Sequence, residues 1–477
     1  MLADPQFISK ITAQVLAKLQ ETEQGKENTG IFATMDDAVA AARHAYRELK
    51  TLSLEKREGL IAAMREAACA NAALLAEMAV QETGMGRVID KIVKNKLAAR
   101  KTPGTEDLRT GAWTGDRGLT IVEQGPFGVI GAITPTTNPS ETLINNGIGM
   151  IAAGNAVVFS PHPTARLTSR RTVEILNAAI VRAGGPANLL TAVAEPSIEA
   201  AERMMKHPDV NMLVATGGPG VVRAVLSSGK KAIGAGAGNP PAVVDETADI
   251  AKAARDIVDG CSFDNNLPCI AEKEVIAVGS IADELTAYMG KYGAYPIRGR
   301  QVEDLMKVVL TEKEERMAPG CTAKPRKLYG VNKNFIGKDA GYILRQIGLS
   351  VPDGVKVVLC ETEADHPFVL EELMMPVLPL VQVKDIDAAV ELAVKVEHGN
   401  RHTAIMHSKN VDHLTRLARA IETTIFVKNG PSYAGIGVGG EGFTTFTIAG
   451  PTGEGLTSAR SFTRQRRCVL VDAFSIV

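Results

Sequence analysis

"GVIGAITPTTNPSETLINNGIGMIAAGNAVVFSPHP", residues 128–163, sets two apolar runs, "GVIGAIT" and "AVVFS", on either side of a stretch with helical character. The rhythm returns in "LLTAV" (189–193), "NMLVAT" (211–216) and "KAIGA" (231–235), with helical stretches beginning near Ser140, Thr164, Ser197 and Gly218. Strands that are apolar throughout, alternating with helices, imply a parallel sheet covered on both faces, since a strand with one wet face would alternate instead. The fold class is therefore α/β. Sheets of this kind bind ligands at the carboxyl ends of their strands.

A nucleotide is the natural suspect for such an edge, yet the dinucleotide fingerprint is absent. The nearest candidates are "ATGGPGVVRAV" (215–225), where Gly217, Gly218 and Gly220 follow a strand and open a helix, and "GAGAGNPP" (234–241). Glycines at a strand-to-helix turn are as often steric as functional. "GPTGEG" (450–455) lacks the lysine of a phosphate loop.

With 477 residues and 45% hydrophobic content, the chain is too long for one compact core and reads as two domains with appendages. Its 53 basic and 54 acidic side chains give no electrostatic reason to expect a nucleic acid or an anionic membrane. The basic run "RSFTRQRRC" (460–468) reads as a solvated or interface-facing strand. Cys69, Cys261, Cys269, Cys321, Cys360 and Cys468 are scattered without metal-ligand spacing, which argues against a zinc site and a disulfide framework and for a reduced, cytoplasmic setting.

The N-terminal segment stands apart. In "ADPQFISKITAQVLAKLQ" (3–20), Asp4 and Pro5 open a helix whose Ile8, Ile11, Val15 and Leu19 share one face, and "ETEQGKENTG" (21–30) has linker composition. Such a helix is marginal alone and needs a surface to cover its apolar stripe, either on its own protein or on a partner. Long helices follow from Thr34, which caps "MDDAVAAARHAYRELK", and the alanine-rich stretch 53–84 ends at a glycine.

Cys269 closes "SFDNNLPC" (262–269). By itself it reads either as a small buried hydrophobe or as a nucleophile. The other cysteines read as packing residues. His398, His402 and His407, in "EHGNRHTAIMHS", read as hydrogen-bonding rather than metal-binding groups, and Glu141 as a first-turn helix residue.

Several segments in order, "TPTTNP" (134–139), "AAGNAVVFSPHP" (152–163), "VATGGPG" (214–220), "GAGAGNPP", "SFDNNLPC", "EELMMPVLPLV" (371–381) and "FVKNGPSYAG" (426–435), resemble the aldehyde dehydrogenase superfamily. Within it the chain is most similar to the CoA-acylating, propionaldehyde-type enzymes of bacterial microcompartments. The resemblance implies the aldehyde dehydrogenase fold. A Rossmann-like cofactor domain would span 31–236 and an α/β catalytic domain 237–440. A C-terminal segment, 441–477, would contribute a strand to a small β oligomerisation element, together with a strand near 111–124. A dimer or tetramer is expected.

The resemblance further implies that the Cys269 thiolate adds to an aldehyde, with the oxyanion held by the Asn138 amide and the Cys269 backbone N–H. Glu372 would hold the nicotinamide ribose, and Thr136, Ser160, Pro161, His162, Thr216, Gly217 and Gly218 would line the cofactor groove. Two positions depart from the wider superfamily. Ala235 stands where hydrolytic members keep a glutamate as general base. Water lies about seven pKa units above a thiol, roughly 10 kcal/mol per proton removed, so water needs that base and a thiol scarcely does. The alanine therefore favours coenzyme A as acyl acceptor. Where many relatives have a lysine gripping the adenosine ribose, this chain has Ser160, followed by Pro161 and His162, which leaves NADP as an alternative to NAD. Residues 1–20 would be an encapsulation peptide that docks on shell proteins and places the enzyme inside a microcompartment. The competing readings are acetaldehyde as main substrate, a hydrolytic aldehyde dehydrogenase, and a non-catalytic cargo protein.

Overall fold

The computed structural model describes residues 30–314 and 327–477. The expected amphipathic helix, nearly all of its linker and Cys321 lie outside the described residues. The first sheet is parallel and six-stranded, built from β1 (Ile31–Phe32), β4 (Val129–Thr134), β5 (Ala156–Pro161), β6 (Leu190–Val193), β7 (Met212–Thr216) and β8 (Lys231–Ala235) in the order β1-β6-β5-β4-β7-β8. A ribbon of β2 (Gly111–Gly115) and β3 (Gly118–Pro126) precedes β4. From β4 the chain moves one way through β5 and β6, then returns to lay β7 and β8 on the other side. The strand order thus reverses between β4 and β7, which opens a crevice at their carboxyl ends.

Helices α1 (Met35–Leu49), α2 (Leu54–Ala70), α3 (Ala72–Thr83), α4 (Val88–Lys101), α5 (Pro139–Ala152), α6 (Arg166–Arg182), α7 (Ile198–Lys206) and α8 (Pro219–Leu226) belong to this half. The alanine-rich stretch breaks at Asn71 into α2 and α3, and α3 ends on Gly84 at φ 68°, the left-handed conformation that glycine adopts without strain. Val157, Val158 and Phe159 have no solvent exposure, as strands covered on both faces require.

The second sheet is parallel and seven-stranded. It contains β9 (Pro241–Val244), β10 (Glu274–Val278), β11 (Ala294–Ile297), β14 (Val357–Glu361), β15 (Val377–Val383), β16 (Thr403–His407) and β17 (Ile425–Lys428), in the order β11-β14-β15-β10-β9-β16-β17. Helix α9 (Ile250–Ser262) joins β9 to β10. Two antiparallel strand pairs, β12 (Leu310–Glu314) with β13 (Lys327–Val331) and β18 (Ile448–Ala449) with β19 (Gly455–Leu456), stand outside the two large sheets, with Leu310, Ile448 and Ala449 buried. Finally β20 (Thr463–Val471) pairs antiparallel with β3 along its whole length, from Thr463↔Pro126 to Val471↔Gly118. Trp113, Val469, Leu470 and Val471 on this three-stranded ribbon are exposed. So is Cys468, contrary to its expected packing role: an outer strand has no layer to cover it. Cys261 and Cys360 are buried. Among the described residues no single helix is long and apolar enough to cross a bilayer.

Asn155, inside the "AAGNAVV" segment, shows how the last residues join the first sheet. Its Oδ1 accepts from the N–H groups of Phe127 (2.8 Å) and Gly128 (3.0 Å), while its Nδ2 donates to the carbonyls of Met150 (3.2 Å) and Phe462 (3.0 Å). One buried amide thus satisfies four backbone groups. Asn155→Ala leaves the Phe127 and Gly128 N–H groups and the Phe462 carbonyl without this partner, at about 1–3 kcal/mol each before relaxation, while the Met150 carbonyl keeps the Asn155 backbone N–H at 2.9 Å. It should lower the urea midpoint by the equivalent of at least about 2 kcal/mol with an unchanged m-value, measured by equilibrium unfolding.

Candidate active site

The two sheets meet end to end. The link 236–240 carries the chain straight from β8 into β9, so the carboxyl edge of the first sheet faces the amino edge of the second. Thr136 and Asn138 follow the carboxyl end of β4, Ser160 and Pro161 end β5 with His162 just beyond, and Thr216 ends β7 with Gly217 and Gly218 just beyond. Cys269, Glu372 and His402 instead lie just before β10, β15 and β16. The predicted residues of the first half thus stand at carboxyl ends of strands, and those of the second half at amino ends.

The Cys269 loop is fixed by the residues before it. Asp264, Asn265 and Asn266 adopt positive φ (48°, 53° and 65°), a conformation Asn and Asp tolerate better than other non-glycine residues. Each side chain ties the loop to a different element. Asp264 accepts from the Arg87 backbone N–H (2.7 Å) and from the ammonium groups of Lys91 (3.0 Å) and Lys94 (2.5 Å) on α4. Asn265 donates to the Gly337 carbonyl and to Asp339, both at 2.9 Å. Asn266 donates to the carbonyls of Cys261 (3.0 Å) and Glu272 (2.9 Å), and its own Oδ1 accepts from Lys273 at 2.6 Å. On the far side of Cys269, Glu272 accepts from the Ser432 N–H (2.8 Å) and hydroxyl (2.7 Å), and burial pushes its pKa up to about 7. Strain of this kind persists only where neighbours over-determine it.

Asn138 sits at the N-terminus of α5 and accepts from Lys94 Nζ at 2.5 Å through Oδ1. Glu141, in the first turn of α5 as expected, also forms a buried ion pair with Lys94 at 3.1 Å. Gly238 approaches the cysteine from the other side: a Cβ there would lie 2.9 Å from the Cys269 carbonyl oxygen and 2.9 Å from the His402 ring. His402 itself is buried, its Nδ1 2.9 Å from the Thr403 hydroxyl, and His407 lies on β16.

The Cys269 thiol is not a resting thiolate. Burial and the nearby Glu372 carboxylate push its pKa up to about 12, against the opposing pull of Lys273, its own backbone N–H and Lys94. Glu372 is in turn raised by burial, against the pull of Lys273 and a hydrogen bond from the Gly238 N–H. Lys273, fully enclosed, has its pKa lowered by burial.

The first-sheet edge fits a dinucleotide. Cβ atoms at Gly217, Gly218, Gly220 and Gly236 would meet nothing within 4 Å, so the backbone there lies open. Gly218, at the N-cap of α8, offers no side-chain cap, and since Pro219 carries no N–H and the Val221 and Val222 N–H groups donate to the Gly218 carbonyl, the Gly220 N–H is the first-turn donor left for a ligand. The Thr216 hydroxyl is anchored to Thr447 at 2.8 Å. The Thr136 and Thr164 hydroxyls lie 2.9 Å apart and His162 Nδ1 is 2.8 Å from Thr164, with His162 exposed and Ser160 and Pro161 buried. Among the described residues no group of three or more His, Cys, Asp or Glu could hold a metal ion.

Lys91, Lys94, Asp264, Glu272 and Lys273 were not singled out by the sequence. A signal existed in α4, whose polarity is inverted: Lys91, Lys94 and Asn95 are buried, whereas Ile89 and Val93 are 63% and 40% exposed. An amphipathic reading would have turned that helix around.

A parallel sheet with a glycine-lined edge is thus set against a loop-held cysteine. The chain belongs to the aldehyde dehydrogenase family, whose profile matches residues 8–307. It is 51% identical over 99% of both chains to an acetaldehyde dehydrogenase (acetylating), EutE, of Salmonella typhimurium. Among solved structures it is similar to Rhodopseudomonas palustris propionaldehyde dehydrogenase with bound CoA and an acylated cysteine (56% identity, TM-score 0.89, covering 94% of this chain and 100% of that one). A propionaldehyde dehydrogenase from the Clostridium phytofermentans fucose utilisation bacterial microcompartment is 55% identical, with TM-score 0.89 and coverage of 94% and 100%.

The opposing charges around the thiol make a directional test. Removing the Glu372 anion lowers the thiol pKa and raises the thiolate fraction, so Glu372→Gln should speed iodoacetamide labelling of Cys269 at pH 8, by roughly tenfold per pKa unit. Lys273→Met should slow it. Peptide mass spectrometry separates Cys269 from the exposed Cys468.

Proposed function

We infer that this chain is a CoA-acylating aldehyde dehydrogenase that converts a short-chain aldehyde, with propionaldehyde preferred over acetaldehyde, to its acyl-CoA, reversibly. Cys269 adds through sulfur to the carbonyl carbon. The Asn138 amide and the Cys269 backbone N–H donate to the oxyanion that forms, a contribution worth about 10²–10³ in kcat for one donor. NAD, when bound, supplies the hydride acceptor, with NADP as the alternative. Its pyrophosphate would lie against the open backbone of Gly217 and Gly218 and the Gly220 N–H in the first turn of α8, beside Thr136, Thr216, Ser160, Pro161 and His162, and Glu372 would hold the nicotinamide ribose. The thioester left on Cys269 passes its acyl group to the CoA sulfur. The CoA thiol proton passes to the departing Cys269 sulfur, replacing the proton that the thiol gave up to solvent on adding to the aldehyde, so the thiol is restored for another turnover.

The observation that carries this reading is Ala235, buried at the end of β8, three positions before the Gly238 that packs against Cys269. No carboxylate is available at that position to activate water. Glu372 is close enough to alter the thiol, and it is the group a hydrolytic reaction would draw on. The two halves divide the work as a cofactor domain (31–236) and a catalytic domain (237–440), and the segment 441–477 bonds to the first half through the Phe462 carbonyl and supplies β20 to the ribbon. The exposed ribbon of β2, β3 and β20 is the expected contact between copies in a dimer or tetramer. Residues 1–20 act as an encapsulation peptide for shell proteins, which places the enzyme inside a microcompartment in the cytoplasm.

NADH formation from propionaldehyde should require added CoA beyond one enzyme equivalent and vanish in Cys269→Ser. Steady release of carboxylate without CoA would establish the hydrolytic reaction instead. Deleting residues 1–20 should leave kcat unchanged and abolish co-sedimentation with purified shells.

A further inference from the structure

Lys94 is fully enclosed at the junction of the halves, yet it touches three oxygens: Asn138 Oδ1 and Asp264 Oδ2, both at 2.5 Å, and Glu141 Oε1 at 3.1 Å. An ammonium carries three donors and no acceptor, so the Asn138 atom facing it must be the oxygen, which fixes the amide against a flip. The NH₂ end is left pointing the other way, with only a long 3.3 Å contact to the Thr137 hydroxyl. A cation on the carbonyl oxygen also draws electron density from the amide and makes its N–H groups better donors. Lys91 completes the unit, donating to Asp264 and to the Thr137 carbonyl, each at 3.0 Å. Two lysines and two carboxylates leave the buried cluster neutral. Burial opposes the Lys94 charge, but Asp264 and Glu141 outweigh it and hold its pKa above the ordinary lysine value.

We propose that Lys94 is a positioning residue for the acylation step, which locks the Asn138 amide with its NH₂ toward the oxyanion and strengthens it as a donor, while Asp264 couples that lock to the Cys269 loop. This deepens the acyl-transfer reading and rests on Asn138 being the oxyanion donor.

The test is a double-mutant cycle read by the NADH burst rate, with propionaldehyde and NAD, in Asn138→Ala, Lys94→Met and the combined variant. Lys94→Met should slow the burst about tenfold to hundredfold with little change in the aldehyde KM. In the combined variant the loss should be no greater than in Asn138→Ala alone, because Lys94 acts through that amide. Losses that multiply would overturn the proposal while leaving Asn138 as donor. An unchanged burst in Asn138→Ala would instead refute the donor reading itself. Because Lys94→Met leaves Glu141 without its cation and Asp264 with Lys91 alone, the cycle is repeated with Lys94→Met/Glu141→Gln, which is neutral as a unit. The same non-additivity is expected there, and full activity in that variant would overturn the proposal.

Discussion

The carboxylate of Asp264, enclosed between the ammonium groups of Lys91 and Lys94, is the contact on which the site depends. The lysines belong to the first half of the chain and the aspartate to the second, so this pair sets the register between the cofactor edge and the cysteine loop. Taking three charges out of water is expensive. The arrangement holds because Arg87 adds a backbone donor and Glu141 restores neutrality. Losing one partner of such a unit costs about 3–5 kcal/mol, since the others stay buried and unpaired. The consecutive left-handed residues at 264–266 follow from the same constraint. A loop that must present one carboxylate to α4, one amide to the Gly337 loop and another to the end of α9 has few backbone solutions.

Much of the architecture was legible in the sequence because it rests on local periodicity. The apolar runs from 129 to 235 became parallel strands, and Ala-rich α2 and α3 ended at Gly84, where a left-handed residue was needed. The motif loops, read as separate strings, come together because the strand order reverses between β4 and β7 and because a short link butts the second sheet against the first. What stayed hidden depends on partners distant in sequence. Nothing within "VIDKIVKNKLAARK" says that its lysines face inward, since their counter-ions lie at 141 and 264. The acidity of Cys269 was equally out of reach, because it is set by burial and by Glu372 on a neighbouring loop.

The end-to-end meeting of the sheets also explains how the chemistry is divided. The carboxyl-end loop after β7 offers the uncapped Gly220 N–H, which suits phosphate. The amino ends of the second sheet offer residues that approach a strand from outside, and there the chain places its cysteine, Glu372 and the buried Lys273. Gly238 stands where the two meet, at a position where a β-carbon would collide with the Cys269 carbonyl.

The bond from Asn155 to the Phe462 carbonyl and the pairing of β20 with β3 have a bearing on biosynthesis. Residues 127–155 emerge from the ribosome hundreds of positions before the segment that satisfies them, so the first half waits, partly unfinished, until translation has passed residue 471. Until then β3 keeps a free edge, the kind of surface on which nascent chains pair wrongly. Arrested or clipped chains would stay in that state, which ties the integrity of the cofactor half to the arrival of the tail.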